Sequence, residues 1–286
     1  MKQQETAQKP QKQLRQPGIE RMMDPKPEVI GASYKGSNKL KGKIALITGG
    51  DSGIGRSVCV HYAREGADIA IVYLDEEQDA QDTFELVKSE GRNCLLIKGD
   101  VKQASFCKAA VKQTINEFGA INILVNNAGM HVPQKDLQDI SDEQLEDTFS
   151  TNFLACFRFA RAALNYMKEG DNIINTNSVT AYRSSPNLLD YSSTKGAITS
   201  FTSSLATNLA KKKIRVNAVA PGLVRTPLTV STFDEAKIKS FGEEMAMQRA
   251  GQPSEIGPAY VFLASDDASF ITGQVIHVNG GEIING

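Results

Sequence analysis

Thr48-Gly49-Gly50-Asp51-Ser52-Gly53-Ile54-Gly55 follows directly on the apolar run Lys43-Ile44-Ala45-Leu46-Ile47-Thr48 and leads into a helix-like stretch through Arg64. A short apolar run bounded by a turn reads as a buried parallel strand. Glycines at 49, 53 and 55 permit a tight turn and let the main chain approach a pyrophosphate at a helix N-terminus. The spacing is GxxxGxG, not the GxGxxG of the standard dinucleotide fingerprint, so the reading depends on context. That context is present: a second apolar run, Asp68-Ile-Ala-Ile-Val-Tyr73, follows at the distance a βαβ unit requires.

Working outward, apolar runs recur near 43–48, 68–73, 93–98, 121–125, 171–177, 214–219 and 275–278. Helical patterns fill gaps between them, at 54–65, 76–90, 103–118, 152–168 and 190–211. This alternation predicts an α/β fold, a doubly wound parallel sheet of the Rossmann type with right-handed crossovers, in one domain spanning 40–286. Ligands of such sheets bind at the carboxyl ends of the strands, near the switch in strand order. Thr48, Asp100, Asn126, Ser178 and Pro221 all fall at or just past strand ends and so converge on one edge.

The chemistry is carried by Tyr191-Ser-Ser-Thr-Lys195, with Ser178 upstream. Tyr and Lys at i and i+4 share one face of a helix. A free phenol titrates near ~10 and shuttles protons poorly at neutral pH; bringing it to about 7 takes roughly 4 kcal/mol of differential stabilisation, which an adjacent ammonium can supply. A tyrosine tuned in this way is an acid–base catalyst.

Taken together, these residues resemble the short-chain dehydrogenase/reductase family. The resemblance covers residues 40–286 and rests on several motifs in one order. They are TGGDSGIG at 48–55, Asp100-Val101, Asn126-Asn127-Ala128-Gly129, Asn152, Ser178, the Tyr191/Lys195 pair and Pro221-Gly222. The N-terminal arm also resembles that of a bacterial subgroup labelled glucose/ribitol dehydrogenase-like or general stress oxidoreductases. The resemblance implies strand order 3-2-1-4-5-6-7 and hydride transfer between a nicotinamide cofactor and a secondary alcohol or ketone. It implies that Tyr191 exchanges the substrate proton, that Lys195 lowers the Tyr191 pKa and holds the nicotinamide ribose, and that Ser178 holds the substrate oxygen. Asn152 would anchor a water in a proton relay, with an ordinary helix N-cap as the alternative reading. The cofactor would meet Gly49, Asp51, Ser52, Gly53, Ile54 and Gly55. At its adenosine end it would meet Tyr73, Leu74, Asp75, Asp100 and Val101. Asn126, Asn127, Ala128, Gly129, Pro221, Gly222, Val224 and Thr226 would line the rest.

The choice between NAD and NADP turns on what meets the adenosine 2′ position, where an acid favours the free hydroxyl and an arginine the phosphate. Asp75 and Glu76 follow the second strand, Ser52 stands where NADP users of the family often carry a base, and no Arg or Lys occurs between 65 and 87. NAD is therefore expected over NADP, with Arg56 the nearby cation if NADP were bound. Substrate shape would come mainly from 223–249, which holds Leu223, Leu228, Val230, Phe233, Met245 and Met247. That stretch is apolar and carries no message about the substrate's identity. An NADP-linked carbonyl reductase and a non-catalytic dinucleotide-binding sensor or scaffold are the competing functions, the fold alone permitting the latter.

Composition narrows the classes. With 286 residues and a net charge of −1, nothing points to nucleic acid or an anionic membrane surface. No apolar run approaches the ~18–20 residues of a membrane span, and the polar N-terminus lacks the apolar core of a secretory signal, so a cytoplasmic location is expected. Cys59, Cys94, Cys107 and Cys156 lack CxxC spacing and read as buried free thiols. His61, His131 and His277 form no local ligand cluster, and no metal is assigned. Residues 1–39 are polar and rich in Pro and Gln. They read either as a solvated tail or as an arm anchored by Ile19, Met22, Met23 and Tyr34 on the body or a neighbouring subunit. The family resemblance implies a homotetramer.

Overall fold

The structure, a computed structural model, describes residues 11–183, 185–239 and 245–282. Residues 1–10 of the arm, 240–244 of the substrate-shaping stretch and 283–286 of the terminal segment lie outside the described residues. Seven strands form one parallel sheet: β1 (Ile44–Thr48), β2 (Asp68–Tyr73), β3 (Cys94–Lys98), β4 (Ile123–Asn126), β5 (Asn172–Thr176), β6 (Arg215–Pro221) and β7 (Val275–Val278). Their order is β3-β2-β1-β4-β5-β6-β7, as expected. The order reverses at β1, which pairs with β2 on one side and β4 on the other, Ala45 standing opposite Ile69 and Ile123. That reversal is where an open α/β sheet leaves a crevice.

The inner strands are apolar on both faces because helices cover both. One layer contains α1 (Gly53–Arg64) and α9 (Pro253–Ala264), which pack on Ile47, Ile69, Ile71 and Val125. The other contains α3 (Ala104–Phe118), α5 (Ala155–Ala163) and α6 (Leu189–Leu209), which enclose Leu46, Ala70, Val72 and Leu124. Each fully buried Ile or Leu of this kind contributes roughly 1.5–3 kcal/mol, so a carboxylate at Ile71 or Leu124 would break the sheet's packing. Helix α2 (Glu77–Ser89) follows β2, and two short helices, α7 (Pro227–Thr232) and α8 (Glu235–Lys239), follow β6.

The expected helix at 152–168 differs from what forms. Helix α4 (Asp142–Phe149) begins earlier, with Ser141 accepting a hydrogen bond from the Gln144 N–H as its N-cap. A single π turn at Ser150–Leu154 then joins α4 to α5. Asn152 sits inside that π turn and is therefore not an N-cap. Such turns insert one extra residue into a helix and recur at functional sites.

The described part of the arm lies on the body. Glu20 and Met23 are buried and Tyr34 donates to Glu65 Oε1 at 2.6 Å, whereas Met22 is exposed and anchors nothing. No helix among the described residues is long and apolar enough to cross a membrane.

Candidate active site

The carboxyl ends of the strands and the arm enclose a cavity of about 740 Å³, within the range of small-molecule and cofactor sites. Its floor at one end is the glycine turn. Gly53 opens α1 at φ 53°, a left-handed conformation that side chains resist. Gly55 lies behind the turn, where a Cβ would stand 1.9 Å from the Gly49 carbonyl oxygen. The close packing of α1 against β1 therefore requires glycine there. Thr48 Oγ1 accepts from the main-chain N–H groups of Asn127 (2.9 Å) and Ala128 (3.1 Å), and Asn127 Nδ2 donates to the Gly49 carbonyl at 3.0 Å. The turn after β1 and the turn after β4 thus hold one another in place.

Most of the expected cofactor residues line this cavity; Gly55 and Asp75 do not. Asn126 does not line it either; its amide turns into the core and donates to Asn175 Oδ1 at 2.9 Å. Arg56 is not a free cation for a phosphate. It is buried and fully used, donating to Glu20 Oε1 at 2.6 Å, to the Asp51 carbonyl at 2.7 Å, to the Asp79 carbonyl at 2.8 Å and to Thr83 Oγ1 at 2.9 Å.

At the other end, α6 presents its chemistry through a stripe of small and polar residues. Asp190, Thr194, Ile198, Thr202 and Ala206, spaced by four, are buried, and Lys195 lies beside them. Asp190 fixes the helix start: Oδ1 accepts from the Tyr191 N–H at 2.8 Å, and Oδ2 from Thr148 Oγ1 and Gln144 Nε2, each at 2.9 Å. Ser178, just past β5, starts a 3₁₀ turn and accepts from both the N–H (3.2 Å) and the hydroxyl (3.1 Å) of Thr180. Ser178 and Tyr191 both line the cavity. Burial pushes the Tyr191 phenol up to about 12, while the neighbouring Ser178 hydroxyl works downward. Lys195 lies beside the Tyr191 ring. Its ammonium stands 5.3 Å from the Tyr191 ring centroid and donates to the Thr176 carbonyl at 2.8 Å, and burial depresses it to about 8.

Asn152 does not line the cavity; it clasps Met130, which does. Its Oδ1 accepts from the Met130 N–H at 2.8 Å, and its Nδ2 donates to the Met130 carbonyl at 2.9 Å and to Thr194 Oγ1 at 3.2 Å. The π turn aims that amide between two elements, and a regular helix would direct it elsewhere.

Several lining residues carry no signal in the sequence. His131 packs edge-on against Tyr191 with ring centroids 4.9 Å apart, and its Nδ1 is buried without a partner among the described residues. Burial first and Lys195 second push its pKa down to about 4, so the ring is neutral at physiological pH. An isolated histidine five residues past a strand gives nothing to recognise; only the fold sets it beside Tyr191. Of the apolar substrate stretch, Leu223, Leu228, Phe233 and Met245 line the cavity. Val230 turns away to a small core with Met23 and Ile238, and Met247 is exposed. No group of three or more metal-ligating side chains occurs among the described residues.

Comparison with known proteins agrees with this geometry. A family model described as enoyl-(acyl carrier protein) reductase matches residues 49–282. The chain is 54% identical to general stress protein 39 of Bacillus subtilis, over 96% of each chain. It is 52% identical to glucose and ribitol dehydrogenase of Daucus carota, over 97% of each. A short-chain dehydrogenase from Burkholderia cenocepacia, solved in complex with NADP, superposes with a TM-score of 0.81 at 30% identity, covering 85% of this chain and 98% of that one. With its sheet order, its glycine turn, and its serine, tyrosine and lysine gathered on one cavity wall, the chain belongs to the short-chain dehydrogenase/reductase family of nicotinamide-dependent oxidoreductases.

Proposed function

We propose that the protein interconverts a secondary alcohol and its ketone, with Tyr191 as the acid–base. The observation that carries this is the placing of the Ser178 and Tyr191 side chains together on the lining of a cavity whose far end is the glycine turn. Two hydroxyls that border one cavity can both contact a single substrate oxygen. Ser178, polarised by the two Thr180 donors, steadies that oxygen, and Tyr191 takes its proton on oxidation or returns it on reduction. Lys195 favours the phenolate by its charge, and Asn152 and Asp190 hold the elements that carry the site. A silent dinucleotide binder would need none of this arrangement.

The residues present fit a nicotinamide dinucleotide. Ser52, Gly53 and Ile54 border the cavity at the start of α1, a helix end that favours a pyrophosphate, with the Gly53 N–H itself donated to Glu20 of the arm, and Asp100 and Val101 flank the adenosine end. The group supplies or accepts the hydride; the protein supplies alignment and charge. Asp75 and Glu76 support NAD as the dinucleotide. A second reading, NADP, is favoured by Arg15, which pairs with both of those carboxylates; the Burkholderia relative is an NADP complex. A cytoplasmic location fits the four free cysteines.

The test is a panel of alcohols and carbonyls, followed by nicotinamide absorbance with each dinucleotide. On whichever substrate turns over, Tyr191→Phe should lower kcat by about 10²- to 10⁴-fold, the usual worth of general acid–base catalysis, with dinucleotide affinity unchanged. Near-normal kcat in that variant would remove Tyr191 from the mechanism.

A further inference from the structure

The arm brings a cation to the segment after β2, whose own charged residues are acids. Past the end of β2, Tyr73, Leu74 and Glu76 border the adenosine end of the cavity, and no Arg or Lys of that segment accompanies them. Arg15 arrives there from the arm, its Nη2 2.8 Å from Asp75 Oδ1 and also paired with Glu76 Oε1. Both ion pairs use the same nitrogen. Nε and Nη1 have no hydrogen-bond partner among the described residues, and the side chain is 44% exposed, beside Glu76, which lines the cavity. Half of a planar five-donor fork is therefore tied down and half is presented, the geometry that suits a phosphate.

The neighbouring residues hold that arginine at the site. Gln13 N–H donates to the Val230 carbonyl at 2.8 Å, and Gln16 Nε2 donates to the His131 carbonyl at 2.7 Å and to Thr232 Oγ1 at 3.0 Å. Gly18 lies so close to Pro227 that a Cβ would come within 2.4 Å of its carbonyl oxygen. The carboxylates themselves are muted. Arg15 offsets one charge, and burial together with the adjacent Asp75 pushes the Glu76 carboxyl well above its usual range, towards the protonated form. Left alone, Asp75 and Glu76 would repel a 2′-phosphate; paired with Arg15 they orient a guanidinium.

We propose that Arg15 is the residue that reads the adenosine 2′ position, as the cation for a 2′-phosphate, so that the N-terminal arm sets the enzyme's selectivity for NADP(H). This rests on the dinucleotide reading above and settles which of its two forms the site prefers. Among the body's nearby cations, Arg56 has every side-chain nitrogen bonded to Glu20, Asp51, Asp79 or Thr83, Lys98 is paired with Glu77, and Lys102, which lines the cavity, is paired with Asp147.

The experiment uses the full-length protein and its Arg15→Gln and Arg15→Lys variants. Kd for NADP and for NAD is measured by titration at several salt concentrations. Wild type should bind NADP more tightly than NAD and with the steeper salt dependence, since phosphate contacts are screened. Arg15→Gln should weaken NADP about 10- to 100-fold, the worth of one or two charge-assisted hydrogen bonds, change NAD by less than about threefold, and flatten the extra salt dependence. Arg15→Lys should recover part of the NADP affinity. The glutamine keeps hydrogen bonds to Asp75, so a merely structural role for Arg15 would shift both dinucleotides alike and would overturn the assignment. Tighter binding of NAD by wild type would overturn it too. Binding of neither dinucleotide by wild type would bring down the dinucleotide reading itself, a result distinct from either of those.

Discussion

Lys195 keeps its ammonium where burial penalises it, at 4% exposure with a single acceptor among the described residues, the Thr176 carbonyl. Its pKa falls from 10.5 to about 8 as a result. Below about pH 8 both folded and unfolded chains hold this proton, and the folded protein bears the full cost of the buried charge. Between about pH 8 and 10.5 the unfolded chain still holds the proton while the folded one has released it, so stability is regained as pH rises. A shift of this size corresponds to about 3 kcal/mol. Chemical denaturation of wild type and Lys195→Met across that window should therefore show wild type gaining on the variant by an amount of that order. Parallel curves would place the Lys195 pKa near its ordinary value. In the proposed mechanism the same charge is functional, because an ammonium in this position favours the Tyr191 phenolate over the phenol. Tyr191, Lys195 and Ser178 were legible in the sequence because catalysis dictates their types and because i and i+4 fixes a shared helix face. His131, Thr180 and Asp190 were not, since each acts through a neighbour that only the folded chain supplies.

Among the elements, α1 and the arm depend on one buried cluster. Arg56 of α1 holds the arm's Glu20 and the main chain of Asp51 and Asp79. Glu20 in turn accepts from the Gly53 N–H at 2.5 Å, and Asp79 accepts from the Glu20 and Arg21 N–H groups. Burial pushes the Glu20 carboxyl up, with Arg56 the main opposing influence. Arg56→Met should then destabilise by about 3–5 kcal/mol, because removing one partner of a buried pair strands the other. Glu20→Gln together with Arg56→Met should recover part of that loss in the same urea titration. An Arg56→Met protein as stable as wild type would show that the arm is only loosely seated. The alternation of strand and helix was readable because the inner strands, covered on both faces, need unbroken apolar runs. The arm was not, since side-chain to main-chain bonds and buried ion pairs leave no hydrophobic period in a polar sequence. The π turn at Ser150–Leu154 was equally silent, being a change of one residue in a pattern that otherwise stays helical.

At the scale of the whole molecule, two separate apolar faces have no cover among the described residues. One is on α5 and α6, where Phe153, Phe157 and Phe201 stack with centroids 5.2–6.5 Å apart and Phe157 is 42% exposed. The other follows α9, where Phe270 stands 103% exposed close to the edge strand β7, with Phe262 of α9 also partly bare. An unpaired edge strand and an exposed aromatic face are each liabilities in a lone chain. A two-fold contact on one face gives a dimer, and independent two-fold contacts on both give a closed tetramer with dihedral symmetry. The homotetramer implied by the family is thus expected to use both. Multi-angle light scattering should give four chains for the full-length protein. Phe157→Asp and Phe270→Asp should each reduce the mass to two chains, and the pair should give one. Dimers surviving in the double variant would move the contact elsewhere, and a monomeric wild type would end the oligomer reading altogether. Because the arm reaches the adenosine end of its own subunit's cavity through Arg15, dissociation alone should leave the ratio of NADP to NAD affinity unchanged. Measuring that ratio in the double variant separates assembly from cofactor choice: a ratio that collapses on dissociation would mean that the site is completed across the interface, and not by the arm of the same chain.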